Sequence, residues 1–526
     1  MKEKFRRCWA LVLVFIIVTG VCLLFTERKS GMFIDEIYAY GLSNSHYAPF
    51  LTNIKDGEMV GKTFTRQELF DYVAVGDDER FDVGSVYYNQ ECDVHPPLHY
   101  WLLNAVCSLF PNTFTKWTGL ALNYVLYMLA IFVLYKTVRR LGWSAGNGTA
   151  AAVLYGLSVI GLSTFVMIRM YMLLTLLTVV LMYLIVCMMQ EFKPKYCILI
   201  GFTLLAGLIT QYYFVFYAFF LCAAYVIYAL IKKEYKALAW FVPCALVGAL
   251  SLLFVFPACM DHLFADNIVS GGNAMENLLN FAQYPVRLKT FVGFVTHGLK
   301  AAIIIALLAV VALIVYFKKV KAAAKDRQFD LRALVLIIPA FIVLVIVALI
   351  SPVDEPRYIY NLIPAFVLTA CLMLHLLEQT LGSFEREKLI KTAVLLGIMA
   401  LALWQARCAP PDYLYPEYAE YDAIVAEHSD DKCVYFSDNR FEAITQDLLQ
   451  LMAFDDFYVS DDTELTGALD YVDGADEFVA YVDISVFWSS GYDPDKIISA
   501  LAEASDYDNA ELLYQNGLSA TYLISK

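Results

Sequence analysis

The chain has 526 residues, 60% of them hydrophobic and 17% charged, and a mean hydropathy of +0.59. A soluble fold of this length carries far fewer apolar residues, so the composition reads as a polytopic membrane protein. The net charge of −14 resides in the tail: from Ala406 onward 26 Asp and Glu stand against 5 Lys and Arg, while the preceding residues have 33 Lys and Arg against 26 Asp and Glu. An acidic tail argues against nucleic acid as a partner and against docking on anionic lipid.

The N-terminal residues Lys2, Lys4, Arg6 and Arg7 precede an apolar run from Ala10 to Phe25. No small-residue cleavage site follows, so this run is expected to stay as the first span. Basic residues recur at Lys2–Arg7, Lys136–Arg140, Lys193–Lys195, Lys232–Lys236, Lys318–Arg327 and Arg386–Lys391, and the positive-inside rule makes all six cytoplasmic. The second span is then Trp117–Tyr135, with a long outer loop, residues 26–116, before it. Leu98–Phe110 is too short to cross and reads as a juxtamembrane helix entered through Pro96 and Pro97.

Thr149–Met189 is too long for one crossing and must turn near Arg169; Cys197–Ile231 folds back near Gln211-Tyr212-Tyr213. Further spans are expected at Leu238–Phe256, Phe294–Phe317, Leu334–Ile350, Ile359–Leu377 and Ala393–Trp404. The total is about eleven, with the N-terminus inside and the C-terminus outside. Two domains follow: a membrane domain over residues 1–405 and an acidic extracytoplasmic domain over 406–526. In the latter, helical stretches (Tyr418–Glu427, Glu442–Met452, Lys496–Ala504) alternate with apolar strands (Cys433–Phe436, Phe478–Val482, Leu512–Tyr514, Thr521–Ile524), the pattern of a small α/β fold. No nucleotide loop is present. Most of the twelve cysteines fall in or beside apolar segments, and no CxxC occurs, so neither a zinc site nor a redox motif is readable.

Carboxylates at a membrane edge cost free energy to desolvate and persist where chemistry uses them. Asp35 and Glu36 follow the first span by about ten residues, and the same loop carries Asp93-Val94-His95-Pro96-Pro97-Leu98. By parity Asp35, Asp93, His95, Arg169, Gln211 to Tyr213, Arg357 and Tyr358 all fall on the outer face. Each has a structural alternative. Asp35 and Glu36 could cap an interfacial helix. Asp93 and His95 could form a polar turn before a proline-started helix. Arg169 and Arg357 could snorkel to headgroups, Tyr212, Tyr213 and Tyr217 could form an aromatic belt, and Asp354 and Glu355 could simply pair with Arg357. His99, one residue past DVHPPL, reads as interfacial. The Asn147-Gly148-Thr149 sequon lies in a cytoplasmic loop and carries no meaning there.

The stretches IDEIYAY (Ile34–Tyr40), DVHPPLHYWLL (Asp93–Leu103), IRMYMLLTLL (Ile168–Leu177), ITQYYF (Ile209–Phe214) and EPRYIYNLIP (Glu355–Pro364) resemble, in that order, the GT-C glycosyltransferases of the protein O-mannosyltransferase and aminoarabinose-transferase type, and the lipopolysaccharide core galacturonosyltransferases. The membrane domain resembles that of glycosyltransferase family 39. Relatives often have His where Gln211 stands.

The resemblance implies a polytopic α-helical GT-C fold and an inverting transfer of sugar from a polyprenyl phosphate to an extracytoplasmic acceptor: protein, glycolipid or wall polymer. It implies Asp35, with Glu36, as the catalytic acid pair of the first loop. Asp93 and His95 would hold the acceptor or orient the loop. Arg169, Arg357 and Tyr358 would bind the donor phosphate, and Tyr212 and Tyr213 would contact lipid or sugar. No cofactor is required and no metal ligand is assigned, although some GT-C enzymes use a divalent ion. The expected location is the plasma membrane of a bacterium, in a multi-pass arrangement. The alternative reading is a membrane transporter or lipid flippase, whose ionisable residues would trace a path across the spans instead of gathering on one face.

Overall fold

The computed structural model describes residues 2–264, 276–315, 331–381, 387–438, 442–461, 465–485 and 491–526. Lys318–Arg327 and Arg386, two of the expected topology markers, lie outside the described residues. The chain divides into two compact units. One comprises Met1–Thr26, Val94–His99 and Leu120–Asp412; the other comprises Glu27–Asp93, Tyr100–Gly119 and Tyr413–Lys526.

The first unit is helical, and each of the eleven apolar runs contains a helix. Eight helices among the described residues are long and apolar enough to cross a membrane, and two bent pairs raise this to ten if each is one span. Pro194–Leu208 is apolar but only 15 residues long. The expected turns are present: one helix ends at Val166 and the next begins at Tyr171, and another break runs from Leu208 to Phe214. The first bend has a local cause, the second a distant one. Ala145–Gly156 and Val159–Val166 meet at 58°, where Ser158 restarts the helix by accepting the Gly161 N–H at 3.1 Å.

Phe294–Phe317, expected as one span, is instead the end of a helix that starts upstream and turns by 85° at Leu299. The Gln405 amide covers the exposed backbone of that corner, donating to Gly298 O at 2.9 Å and accepting from Ala301 N at 2.8 Å. Breaks in an apolar environment need such a substitute for water. Pro194–Leu208 and Tyr235–Leu250 approach so closely at Gly201 and Gly248 that a Cβ on Gly248 would lie 2.3 Å from Gly201 O.

The second unit takes in most of the first loop as well as the tail. Its six-stranded sheet runs β1-β3-β2-β4-β6-β5, with β1 Thr63–Thr65, β2 Lys432–Phe436, β3 Asp456–Ser460, β4 Glu477–Asp483, β5 Asn509–Gln515 and β6 Ser519–Ser525. β2 pairs parallel with β3 and β4, and the outer pairings are antiparallel. β1 comes from the first loop: Thr63, Phe64 and Thr65 pair with Tyr458, Phe457 and Asp456. Loop and tail therefore share one sheet and one compact unit. The apolar faces of β2 and β4 (Val434, Phe436, Phe478, Ala480, Val482) close over Ile497 and Leu501 of the amphipathic Pro494–Ala504 helix. The stretch expected as one helix over Glu442–Met452 breaks at Asp447 into Glu442–Gln446 and Leu448–Leu451.

Candidate active site

In the second unit, Asp35 sits half-buried in the first turn of the Ile34–Asn44 helix. Glu36, bracketed with it as catalytic, is fully enclosed and has a structural task. Its carboxylate accepts the Phe33 N–H at 2.8 Å, capping the helix start, and meets Lys29 Nζ at 2.8 Å with neither side chain exposed. The capping alternative thus describes Glu36, and Asp35 is the more accessible of the two. Burial lowers the proton affinity of the Lys29 amine, and Glu36 works against that loss. Lys29 also donates to Tyr413 O at 2.6 Å.

Further along the helix Tyr40 donates to Thr115 O at 2.8 Å and accepts from Gly119 N, Asn44 donates to Val73 O, and Asn89 donates to Ser45 O at 2.9 Å. These bonds tie the loop's segments to the helix that carries Asp35. Asp93 ends the Val83–Cys92 helix, its N–H donating to Asn89 O at 3.2 Å, and is half-buried.

In the first unit the other motifs converge. Leu98 N, closing DVHPPL, donates to Ile209 O of ITQYYF at 2.9 Å. His95 is half-buried; His99 is fully buried, not interfacial. Burial, then the positive charge of Arg169, pushes His99 down to about 3, so it is a neutral imidazole. Arg169 is only 3% exposed, which leaves its guanidinium no route to headgroups by snorkelling. Tyr171, two residues on, meets the Tyr360 ring edge-on at 6.0 Å, linking IRMY to EPRYIYN.

Arg357 Nε lies 2.9 Å from Glu355 Oε2, and its guanidinium sits 5.6 Å from the centre of the Tyr358 ring. Tyr358 in turn packs against Tyr213 at 5.3 Å, and Tyr212 bonds through its hydroxyl to His262 Nδ1 at 3.0 Å. Tyr212 and Tyr213 are therefore packed into this cluster and are not only an exposed aromatic belt.

Arg287 was not singled out in the sequence. It is 4% exposed, donates to Ser351 Oγ at 2.8 Å and to the Ser351 carbonyl, and pairs with Asp354 at 3.0 Å. It pins the loop that carries Arg357 and Tyr358. The available signal was a cation, Arg287, in the first turn of an otherwise largely apolar helix, Tyr284–Gly298, with Lys289 close by. Lys29 and His262 were missed too, because nothing local in the sequence announces a partner seven or fifty residues away. Among the described residues one group, His428, Asp431 and Glu477, can bring three ligand atoms within 4.8 Å of one another; none of the expected site residues belongs to it.

Residues 94–260 match the family model described as dolichyl-phosphate-mannose-protein mannosyltransferase. Among solved structures, the chain resembles ArnT from Cupriavidus metallidurans bound to undecaprenyl phosphate, with 14% identity, a TM-score of 0.50 and coverage of 98% of this chain and 97% of that one. It also matches arabinofuranosyltransferase AftD from Mycobacteria (14% identity, TM-score 0.44, 97% of this chain, 40% of that one) and arabinosyltransferase EmbB from Mycobacterium smegmatis (11%, 0.38, 90% and 44%). No curated protein matches at the level of sequence. The stretch that holds His95, Arg169, Tyr212 and Tyr213 thus matches the model of the dolichyl-phosphate-mannose-protein mannosyltransferase family, and the chain has a polytopic helical fold like that of ArnT.

Proposed function

We propose that the protein is an inverting glycosyltransferase that moves one sugar from a polyprenyl phosphate to an acceptor hydroxyl outside the cytoplasm. The observation that carries this reading is Arg169. Its guanidinium is held 3% exposed beside a neutral His99, at the break between two helices of the family-matched stretch, where it can meet a donor phosphate. Arg357, aligned by Glu355 and Tyr358, supplies a second cation.

In this reaction the acceptor oxygen attacks the anomeric carbon as the bond from that carbon to the phosphate oxygen breaks. A single displacement inverts the centre. Asp35 takes the acceptor proton, and the lipid phosphate leaves as a stable anion, so no general acid is needed. Arg169 and Arg357 stabilise the charge that gathers on the departing phosphate, with Tyr358 as a further donor. Asp93 and His95 hold the acceptor or the loop. That ArnT was solved with undecaprenyl phosphate supports a lipid of this class as donor carrier. The six basic segments support a plasma-membrane arrangement with the N-terminus inside and the acidic tail outside.

The test uses membranes carrying the full chain and a panel of undecaprenyl-phosphate-linked radiolabelled hexoses and pentoses. Release of undecaprenyl phosphate with label passing to membrane material is expected for at least one donor. Label that crosses the bilayer still attached to its lipid would overturn the reading in favour of a flippase.

A further inference from the structure

The tail contributes to the surroundings of Asp35 through the five-residue helix Glu442–Gln446, some 400 residues away in the chain. This helix packs on Ile34–Asn44 within the second unit. Three contacts define how. Gln446, 7% exposed, donates from Nε2 to Met32 O at 3.1 Å, three residues before Asp35, and also to the Tyr418 hydroxyl at 2.8 Å. Thr445, fully buried, is hydrogen-bonded through its hydroxyl to Tyr38. Tyr38 lies three residues past Asp35, so the two share one face of the helix. Glu442, one turn before Thr445, faces the same tyrosine. Burial first, then the charges of Glu442 and, more weakly, Asp35 push the Tyr38 hydroxyl above its ordinary range.

The segment leading into the helix is held along its length by the start of the tail. Lys29 donates to Tyr413 O and Ser30 N donates to Leu414 O at 2.9 Å. Gly31 lies so close to the tail that a Cβ there would sit 2.6 Å from Tyr418 Cγ. Residues 29 to 38 therefore have tail contacts on both sides of Asp35: at Lys29, Ser30, Gly31 and Met32 before it, and at Tyr38 after it.

Resting on the reading of Asp35 as the base, we infer that the Glu442–Gln446 helix is a positioning element of the active site: Thr445 through Tyr38, and Gln446 through Met32, orient the turn that aims the Asp35 carboxylate. The tail then acts on turnover, and acceptor docking is not its main task. A base must lie within hydrogen-bond reach of the proton it takes, and small displacements of a reacting group lower the rate steeply.

The experiment uses the full chain in membranes, with the undecaprenyl-phosphate-linked radiolabelled sugar the wild type turns over fastest, and solubilised membranes of the source organism titrated as acceptor. Thr445→Val keeps the side chain's volume and removes its hydroxyl; Tyr38→Phe removes the other half of the bond. Each is expected to lower kcat about ten- to a hundredfold, with donor affinity and acceptor KM within twofold of wild type. Thr445→Ser should restore most of the rate. In an Asp35→Asn background neither substitution should lower the residual rate further, because a residue that acts through Asp35 has nothing left to position.

An unchanged kcat in both Thr445→Val and Tyr38→Phe, or a raised acceptor KM at normal kcat, overturns the inference. A wild-type rate for Asp35→Asn instead overturns the reading of Asp35 as base. Should Thr445→Val fail to accumulate, Gln446→Glu, which keeps the length but removes the amide donor, takes its place with the same expectations.

Discussion

Lys29→Met tests how the Asp35 helix is held. Lys29 and Glu36 meet at 2.8 Å with neither side chain exposed, so the pair is shielded from solvent and salt. Methionine keeps the length and volume of the lysine stem but leaves the Glu36 carboxylate, still bonded to the Phe33 N–H, without the cation in contact with it. Removing one member of a buried pair costs roughly 3–5 kcal/mol, because the charge left behind has been desolvated. Loss of the bond to Tyr413 O adds about 1 kcal/mol.

The assay is hydrogen exchange of the amides in Ile34–Asn44, followed on purified protein. With about 1.4 kcal/mol per factor of ten, those amides should exchange roughly 10³- to 10⁴-fold faster. The double variant Lys29→Met/Glu36→Met removes both charges and should recover most of the protection, losing on the order of 2 kcal/mol for the missing cap bond and the missing bond to Tyr413 O. Exchange within threefold of wild type in Lys29→Met would refute the argument, since it would mean that Glu36 is not held as a buried charge.

Asp35→Asn keeps the size of the side chain and removes the proposed base; kcat should fall on the order of 10²- to 10⁴-fold with donor affinity nearly unchanged, as read by single-turnover release of undecaprenyl phosphate. Arg357→Ala should weaken donor binding and transfer together by roughly ten- to a hundredfold, and Arg357→Lys should recover only part, because ammonium lacks the planar fork; donor affinity measured by lipid-binding titration decides it. Asp447, fully buried and bonded to Tyr435 and Asn516, is raised from 3.8 to about 6, chiefly by desolvation. The folded state therefore binds the extra proton, and its contribution to stability is full below about pH 4 and is lost as pH rises to about 6. Asp447→Asn should flatten that slope in melts of the protein between these values, and an unchanged slope would count against it. A C-terminal reporter active only outside the cytoplasm should be active, and activity of a cytoplasm-only reporter there would remove the shared outer face.

Much of the membrane architecture was legible because span length is a one-dimensional property. Runs near twenty apolar residues fit the bilayer thickness, and the two overlong runs had to turn; the breaks at residues 167–170 and 209–213 are where Arg169 and Gln211-Tyr212-Tyr213 interrupt the apolar pattern. The right-angle bend at Leu299 was not legible, since the Gln405 amide that stabilises it arrives from a hundred residues later. The central strands β2 and β4 and the strands β5 and β6 were also readable from their apolar runs. β3 was not singled out, and the three-residue β1 could not be, because a strand of three residues carries no periodicity of its own and exists only by pairing with its neighbour.

The candidate site divides in the same way. Residue type and order alone marked Asp35, Asp93, His95, Arg169, Arg357 and Tyr358, because ionisable groups beside a membrane stand out against an apolar background. Nothing along the chain separates Asp35 from Glu36, which are adjacent and chemically alike. Tertiary structure separates them: a helix turns successive residues by about 100°, so Glu36 faces inward to Lys29 and the Phe33 N–H, while Asp35 stays half-exposed. The partnerships of Arg287 with Asp354, and of Thr445 and Gln446 with the Asp35 helix, join residues tens to hundreds of positions apart. A sequence records which groups are present; burial and pairing are properties of the folded chain, since they depend on which distant groups share the same low-dielectric space.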